Sequence, residues 1–244
     1  MIPGRKKERD GTEREVSIRK VSIDVDKVTL EGTLSLPKDA SGIVLFAHGS
    51  GSSRHSPRNR YVAGVLQSHG IATLLFDLLT RGEESVDEWT GELRFDINLL
   101  AKRLGGATRS IMQDPDLKGL KVGYFGASTG AGAALVAATE LPDVVSAVVS
   151  RGGRPDLAGD VLPSVRAPTL LIVGGDDEPV IELNRQALAK LTCLEKELII
   201  VPGATHLFEE PGTLEEVARL AAEWFTRCFT RVARSHVHAS TGSR

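Results

Sequence analysis

Short, near-continuous apolar runs recur along this chain with helix-like stretches between them, and that recurrence restricts its possible folds more than any other feature. Residues 42–47 (Gly-Ile-Val-Leu-Phe-Ala) hold no polar side chain to face water, as a strand buried on both faces requires. Runs at residues 71–76, 121–125, 144–149, 169–173 and 198–201 read as further buried strands. Helices are expected between them at about 59–68, 95–109, 129–139, 181–191 and 214–233. Strand–helix–strand alternation implies right-handed crossovers and a parallel sheet. Ahead of it, residues 15–24 and 28–36 alternate apolar and polar side chains, as half-buried antiparallel strands do, with Asp26-Lys27 as the turn. The expected architecture is α/β: a mostly parallel, doubly wound sheet of about eight strands with an antiparallel N-terminal edge.

A chain of 244 residues with 41% hydrophobic and 25% charged residues can bury one full core. One domain over residues 15–234 is expected, with a flexible stretch at 1–14 and a disordered tail at 235–244. His236 and His238 fall in that tail, where metal binding would be weak. A net charge of −2 gives no general attraction to nucleic acid or anionic membranes. Arg5, Lys6, Lys7 and Arg9 are followed at once by Glu8, Asp10, Glu13 and Glu15, which suits a solvated terminus better than a binding arm. The charged start has no apolar leader core, and no run is long enough to span a membrane. Cys193 and Cys228, both in segments of helical periodicity, make no disulfide framework, so a reducing cytoplasm is the expected compartment.

The chemistry is concentrated in three places. Gly126-Ala-Ser128-Thr-Gly130 follows one apolar strand and precedes an Ala-rich helix, the strand–turn–helix context in which a G-x-S-x-G serine becomes a nucleophile. Alone the pattern is common by chance, and a glycine-rich turn with an incidental serine would look the same. It lacks the Gly-Lys-Ser/Thr ending of a phosphate loop and the G-x-G-x-x-G of a dinucleotide site. A serine needs a base, and the base an orienting acid. His206 lies in a loop after the last apolar strand, and Asp176-Asp177-Glu178 follows the strand at 169–173. All three loops leave the carboxyl edge of a parallel sheet, where such sheets build their sites. The order Ser128, Asp177, His206 is that of the α/β-hydrolase arrangement. Of the two aspartates Asp177 is preferred, with Asp176 as its turn-forming neighbour; the acids lack the second cluster that a metal site would need. The turn His48-Gly-Ser50-Gly-Ser-Ser53 could aim a backbone N–H at the reacting carbonyl, so the amides of Ser50 and Thr129 are the expected oxyanion donors. His48 is an alternative base, but its place at the strand end suits loop shaping better.

These strings resemble the dienelactone hydrolase-like branch of the α/β-hydrolase superfamily. The resemblance is carried by residues 46–60 (Phe-Ala-His-Gly-Ser-Gly-Ser-Ser-Arg-His-Ser-Pro-Arg-Asn-Arg), the elbow, residues 173–180 (Val-Gly-Gly-Asp-Asp-Glu-Pro-Val) and Gly203-Ala-Thr-His206. It covers about residues 16–229 and implies an α/β-hydrolase fold with Ser128 as nucleophile, Asp177 as acid and His206 as base. Dienelactone hydrolases proper carry cysteine at the elbow; Ser128 shifts the expectation to a carboxylic-ester hydrolase without metal or cofactor. No large cap is expected, and only residues 80–89 and 151–162 could overhang the site. Arg81, Arg151 and Arg154 in those segments, with His48, are the candidate substrate-binding side chains; the arginines would suit an anionic ester, unless they only pair with Glu83, Glu84 or Asp156. Thioesterase, peptidase or acyltransferase chemistry would use the same residues, and a non-hydrolytic ligand receptor would keep the same pocket. The expected partner is a small-molecule ester, with no nucleic acid or membrane. A homodimer through a sheet edge or the C-terminal helix around Trp224 and Phe225 stays open.

Overall fold

The computed structural model describes residues 15–230. The expected flexible segment 1–14 and tail 235–244 lie outside the described residues. Two long strands, β1 (Val16–Val25) and β2 (Val28–Pro37), form a hairpin in which Val25 faces Val28. Asp26 closes its turn at φ 53°, a left-handed conformation that short polar residues tolerate. Then come β3 (Gly42–Ala47), α1 (Pro57–Ser68), β4 (Ala72–Phe76), α2 (Arg81–Thr90), α3 (Ile97–Ile111), β5 (Lys121–Ala127) and α4 (Thr129–Glu140). The chain continues through β6 (Val145–Arg151), β7 (Thr169–Gly174), α5 (Glu178–Lys190), β8 (Lys196–Val201) and α6 (Thr213–Thr230). Short 3-10 segments occupy Leu93–Phe95 and Pro155–Ser164, the latter kinked at Gly159.

The eight strands form one sheet in the order β1-β2-β4-β3-β5-β6-β7-β8. β1, β2 and β4 pair antiparallel, and every pairing from β4 to β8 is parallel. β3 and β5 are buried along almost their whole length because both faces are covered. On one face, Leu100, Leu104 and Ala107 of α3 and Ala134 and Leu135 of α4 pack with Leu45, Tyr124 and Val148. On the other, Val62 and Leu66 of α1 and Val217, Ala221 and Phe225 of α6 pack with Phe46, Phe125 and Val149. This is the doubly wound α/β-hydrolase arrangement, open at both edges. Parallel strands all deliver their carboxyl ends to one rim, so the loops after β3, β5, β7 and β8 meet there.

Two elements depart from the sequence expectation. Residues 80–89, expected only as an overhang, carry the helix α2; its first turn is fixed by a capping box between Thr80 and Glu83. Cys193 lies beyond the end of α5 rather than in a helix, where its Sγ reaches the Glu195 carbonyl at 3.4 Å. Burial raises the thiols of both Cys193 and Cys228. Among the described residues no helix is long and apolar enough to cross a membrane.

Candidate active site

Ser128 sits between β5 and α4 at φ 50°, ψ −121°, a backbone state that a residue with a side chain rarely adopts. The neighbouring glycines make the bend possible. A Cβ at Gly130 would lie 2.1 Å from the Ala47 carbonyl oxygen, and one at Gly126 would lie 2.5 Å from Ala131 Cα. Two hydrogen bonds tie the elbow to the end of β6 and the loop after it: Ser128 N–H donates to the Arg151 carbonyl at 3.3 Å, and Arg154 N–H donates to the Ser128 carbonyl at 3.0 Å. Such strain costs on the order of 1–3 kcal/mol and persists only where the surroundings over-determine it. Behind the serine, the N-terminal end of α4 favours negative charge.

His206 Nδ1 lies 2.6 Å from Asp177 Oδ2. Asp177 precedes α5 at the end of β7, and it is this aspartate rather than exposed Asp176 whose carboxylate meets the histidine. Asp176 uses its backbone instead, donating its N–H to the Ala204 carbonyl at 2.9 Å and so tying the two loops together. The His206 loop is stiffened by Glu210, whose carboxylate accepts from Thr205 N–H at 3.0 Å and from Thr205 Oγ1 at 2.6 Å. Those bonds hold the Glu210 carboxyl below its ordinary value. Phe208, buried at φ 56°, turns the chain inward just after the histidine. Ser128 and His206 flank the same short segment. A Cβ on Gly152 would stand 3.6 Å from His206 Cε1, while the preceding residue, Arg151, bonds Ser128 through its carbonyl. No hydrogen bond joins the Ser128 hydroxyl to His206 among the described residues; such bonds often tighten only when substrate is bound.

The turn after β3 lies against the elbow, since a Cβ on Gly49 would fall 3.0 Å from Ser128 Cβ. His48 is 7% exposed and both its ring nitrogens are engaged. Nδ1 is 3.0 Å from the Gly49 carbonyl, which only accepts, so the proton resides there and Nε2 accepts from Leu78 N–H at 3.1 Å. Burial lowers its pKa, against smaller opposing effects of Gly49 and Asp77. A histidine held this way braces the turn against the end of β4 and has no nitrogen left for a substrate proton. Arg54 clamps the turn from its other end. Its backbone N–H donates to Asp77 at 2.8 Å, while its guanidinium reaches both Asp77 and, at 2.7 Å, Glu31. Ser50 N–H is not free: it donates to Thr129 Oγ1 at 3.0 Å.

Beside this turn opens a cavity of about 370 Å³, lined in part by Ser50, Thr129, Leu79, Glu84 and Glu88. Burial, with the nearby Asp77, raises the Glu84 carboxyl. The three candidate arginines fare differently. Arg81 is largely exposed and pairs with Glu31 at 3.2 Å; Arg154 forms a two-pronged pair with Asp156 at 2.8 and 2.7 Å. Arg151 is 7% exposed, and its Nε and Nη1 have no partner among the described residues. Burial, then the neighbouring Arg58, lowers this guanidinium to about 10. The Arg54 clamp and the Thr129 hydroxyl were not legible in the sequence. The only hint of the second was a threonine directly after the nucleophile position.

The profile of the Dienelactone hydrolase family matches residues 30–233. The solved structure of a dienelactone hydrolase from Anabaena variabilis is 62% identical, with a TM-score of 0.85 over 87% of this chain and 98% of that one. Est1E from Butyrivibrio proteoclasticus shares the fold at 16% identity, with a TM-score of 0.73 over 87% of this chain and 99% of that one. A proposed phosphoribosyl transferase of Mycobacterium tuberculosis is 60% identical over 205 residues, covering 84% of this chain but only 45% of that protein. The chain thus spans less than half the length of this curated relative. A family profile over nearly the whole described chain, with a relative of this identity matched end to end, makes this chain a member of the dienelactone hydrolase family.

Proposed function

We propose that this chain is a serine hydrolase that cleaves a small carboxylic ester through an acyl-enzyme. Ser128 Oγ bonds to the ester carbonyl carbon as its proton passes to His206 Nε2 and the carbonyl electron pair moves onto oxygen. The pair then returns, the bond to the alcohol oxygen breaks, and His206 gives its proton to that leaving group. Water activated by the freed imidazole repeats the sequence on the acyl-enzyme. Asp177 holds the imidazole in the tautomer that leaves Nε2 as the base, and the elbow amide of Thr129 receives the oxyanion. The observation that carries this reading is the 2.6 Å contact between His206 Nδ1 and Asp177 beside a serine held at φ 50°. Thioester, amide or acyl-transfer chemistry would draw on the same groups.

Two features bear on the substrate. Dienelactone hydrolase is the name of the Anabaena relative, and the cavity of about 370 Å³ beside the elbow reaches Thr129 but is lined by neither Ser128 nor His206. Glu84, Asp87 and Glu88 line that cavity with one cation, Arg94, which pairs with Asp87, so the remaining acids favour a neutral ester over an anionic one on this side of the elbow. Phosphoribosyl transfer is the name of a protein of which this chain matches 45%, so it describes a longer molecule. The test is direct: a fluorophosphonate should label Ser128 alone, and Ser128→Ala should abolish both labelling and p-nitrophenyl acetate turnover. A folded protein with neither adduct nor turnover would favour a non-hydrolytic ligand receptor.

A further inference from the structure

The second oxyanion donor expected from the sequence, Ser50 N–H, already has an acceptor. It points to Thr129 Oγ1 at 3.0 Å. A hydroxyl that accepts one hydrogen bond keeps its own proton to donate, and no acceptor for that proton is found among the described residues. Thr129 is 3% exposed, so this donor is held away from bulk water. It borders the cavity beside the elbow together with Gly49 and Ser50. As the first residue of α4, Thr129 also has a backbone N–H with no intrahelical acceptor. One residue next to the nucleophile therefore offers two donors, an amide and a hydroxyl, and the hydroxyl is polarised by the Ser50 amide behind it.

We propose that the Thr129 hydroxyl is itself an oxyanion donor, and that Ser50 N–H acts through it rather than on the substrate. Accepting a bond from an amide makes a hydroxyl a stronger donor, and a donor fixed before the reaction needs no rearrangement as charge develops. Thr129 keeps its proton throughout; it stabilises the pair that moves onto the carbonyl oxygen when Ser128 Oγ bonds to carbon. This rests on Ser128 being the nucleophile. The rival is that the hydroxyl merely occupies the oxyanion's place and must rotate away, freeing Ser50 N–H to serve directly. Removing the hydroxyl has opposite effects under the two.

The experiment compares Thr129→Val, Thr129→Ala and Thr129→Ser with the wild type on p-nitrophenyl acetate, with thermal midpoints to report folding. A trifluoromethyl ketone, which adds to the serine as an oxyanion, serves as the transition-state probe. Thr129→Val should lower kcat about 100-fold while KM stays within about threefold, and should weaken the ketone by a similar factor. Thr129→Ser, which restores a hydroxyl at the same branch, should recover all but about fivefold of the loss. Should the valine variant fail to fold, Thr129→Ala carries the same expectation. Unchanged or raised kcat in a folded Thr129→Val or Thr129→Ala enzyme overturns the proposal in favour of the rival. Ser128→Ala separates the two levels: intact turnover there sinks the nucleophile and this inference with it. Turnover lost in Ser128→Ala but kept in Thr129→Val sinks this inference alone.

Discussion

At the residue scale the site depends on groups that are costly to hold in place. Ser128 is kept at φ 50° in an elbow with no room for a side chain at Gly126 or Gly130, and by backbone bonds to Arg151 at the end of β6 and to Arg154 just after it. His48 is kept neutral by burial, with one nitrogen donating and the other accepting. The second case has a pH consequence whose sign is fixed. In the unfolded chain a histidine binds its proton below about 6.5, whereas buried His48 takes one up only at lower pH. Between those limits the unfolded state binds more protons, so stability falls as pH falls, with a slope of at most ~1.4 kcal/mol per pH unit from this residue. His48→Gln, which can still donate to one side and accept from the other, should have a flatter profile. Thermal midpoints measured from pH 7 to 5 in both proteins check this; parallel profiles would show that His48 is not what titrates.

At the scale of elements, the helix the sequence concealed is instructive. α2 has few apolar residues and leaves Val86 and Trp89 exposed, so hydrophobic periodicity could not reveal it. Its one buried residue is Asp87, whose carboxylate accepts from Leu93 N–H at 2.7 Å and from Arg94 Nε at 2.6 Å. Burial pushes this carboxyl up, and the bonds from Arg94 and Leu93 outweigh it, leaving it below its ordinary value. Arg103 of α3 reaches Glu83 at 2.6 Å and fixes the helix from its other side. α2 is thus docked by polar bonds, and the Thr80–Glu83 capping box was its one sequence signal. Asp87→Ala should free residues 81–95 locally, since hydrogen bonds to charged groups are worth roughly 1.5–3 kcal/mol each. Amide exchange across that segment should quicken about tenfold or more while the strands keep their protection. Uniform acceleration over the whole chain would mean instead that α2 is part of the global fold.

At the scale of the whole molecule, the sheet and its two layers were legible because continuous apolar runs have few other uses. Ser128, Asp177 and His206 could be picked out as candidates because each stands just past such a run. What stayed hidden depends on tertiary meetings between distant loops: Arg54 with Asp77 and Glu31, Ser50 with Thr129, and the burial of Arg151, whose Nε and Nη1 lack a partner among the described residues. This division suggests that core and rim can be perturbed separately. Phe225 of α6 is fully buried, stacks on Phe229 at 5.6 Å between ring centres, and lies where a Cβ on Gly123 would come within 2.6 Å of its ring. Truncating such a ring costs roughly 3–5 kcal/mol through lost contacts and the cavity left behind. In a chain of this size that lowers the thermal midpoint by about 6–20 °C. Gly123 precedes Ser128 by about five residues of strand and turn, roughly 16 Å of extended chain, and the elbow is fixed by its own glycines and by β6. Phe225→Ala should therefore keep kcat for p-nitrophenyl acetate within about twofold at 15 °C, where it remains folded, despite its lower midpoint. A large loss of kcat in the folded variant would show that α6, through the middle of β5, helps set the angle at which the serine is presented.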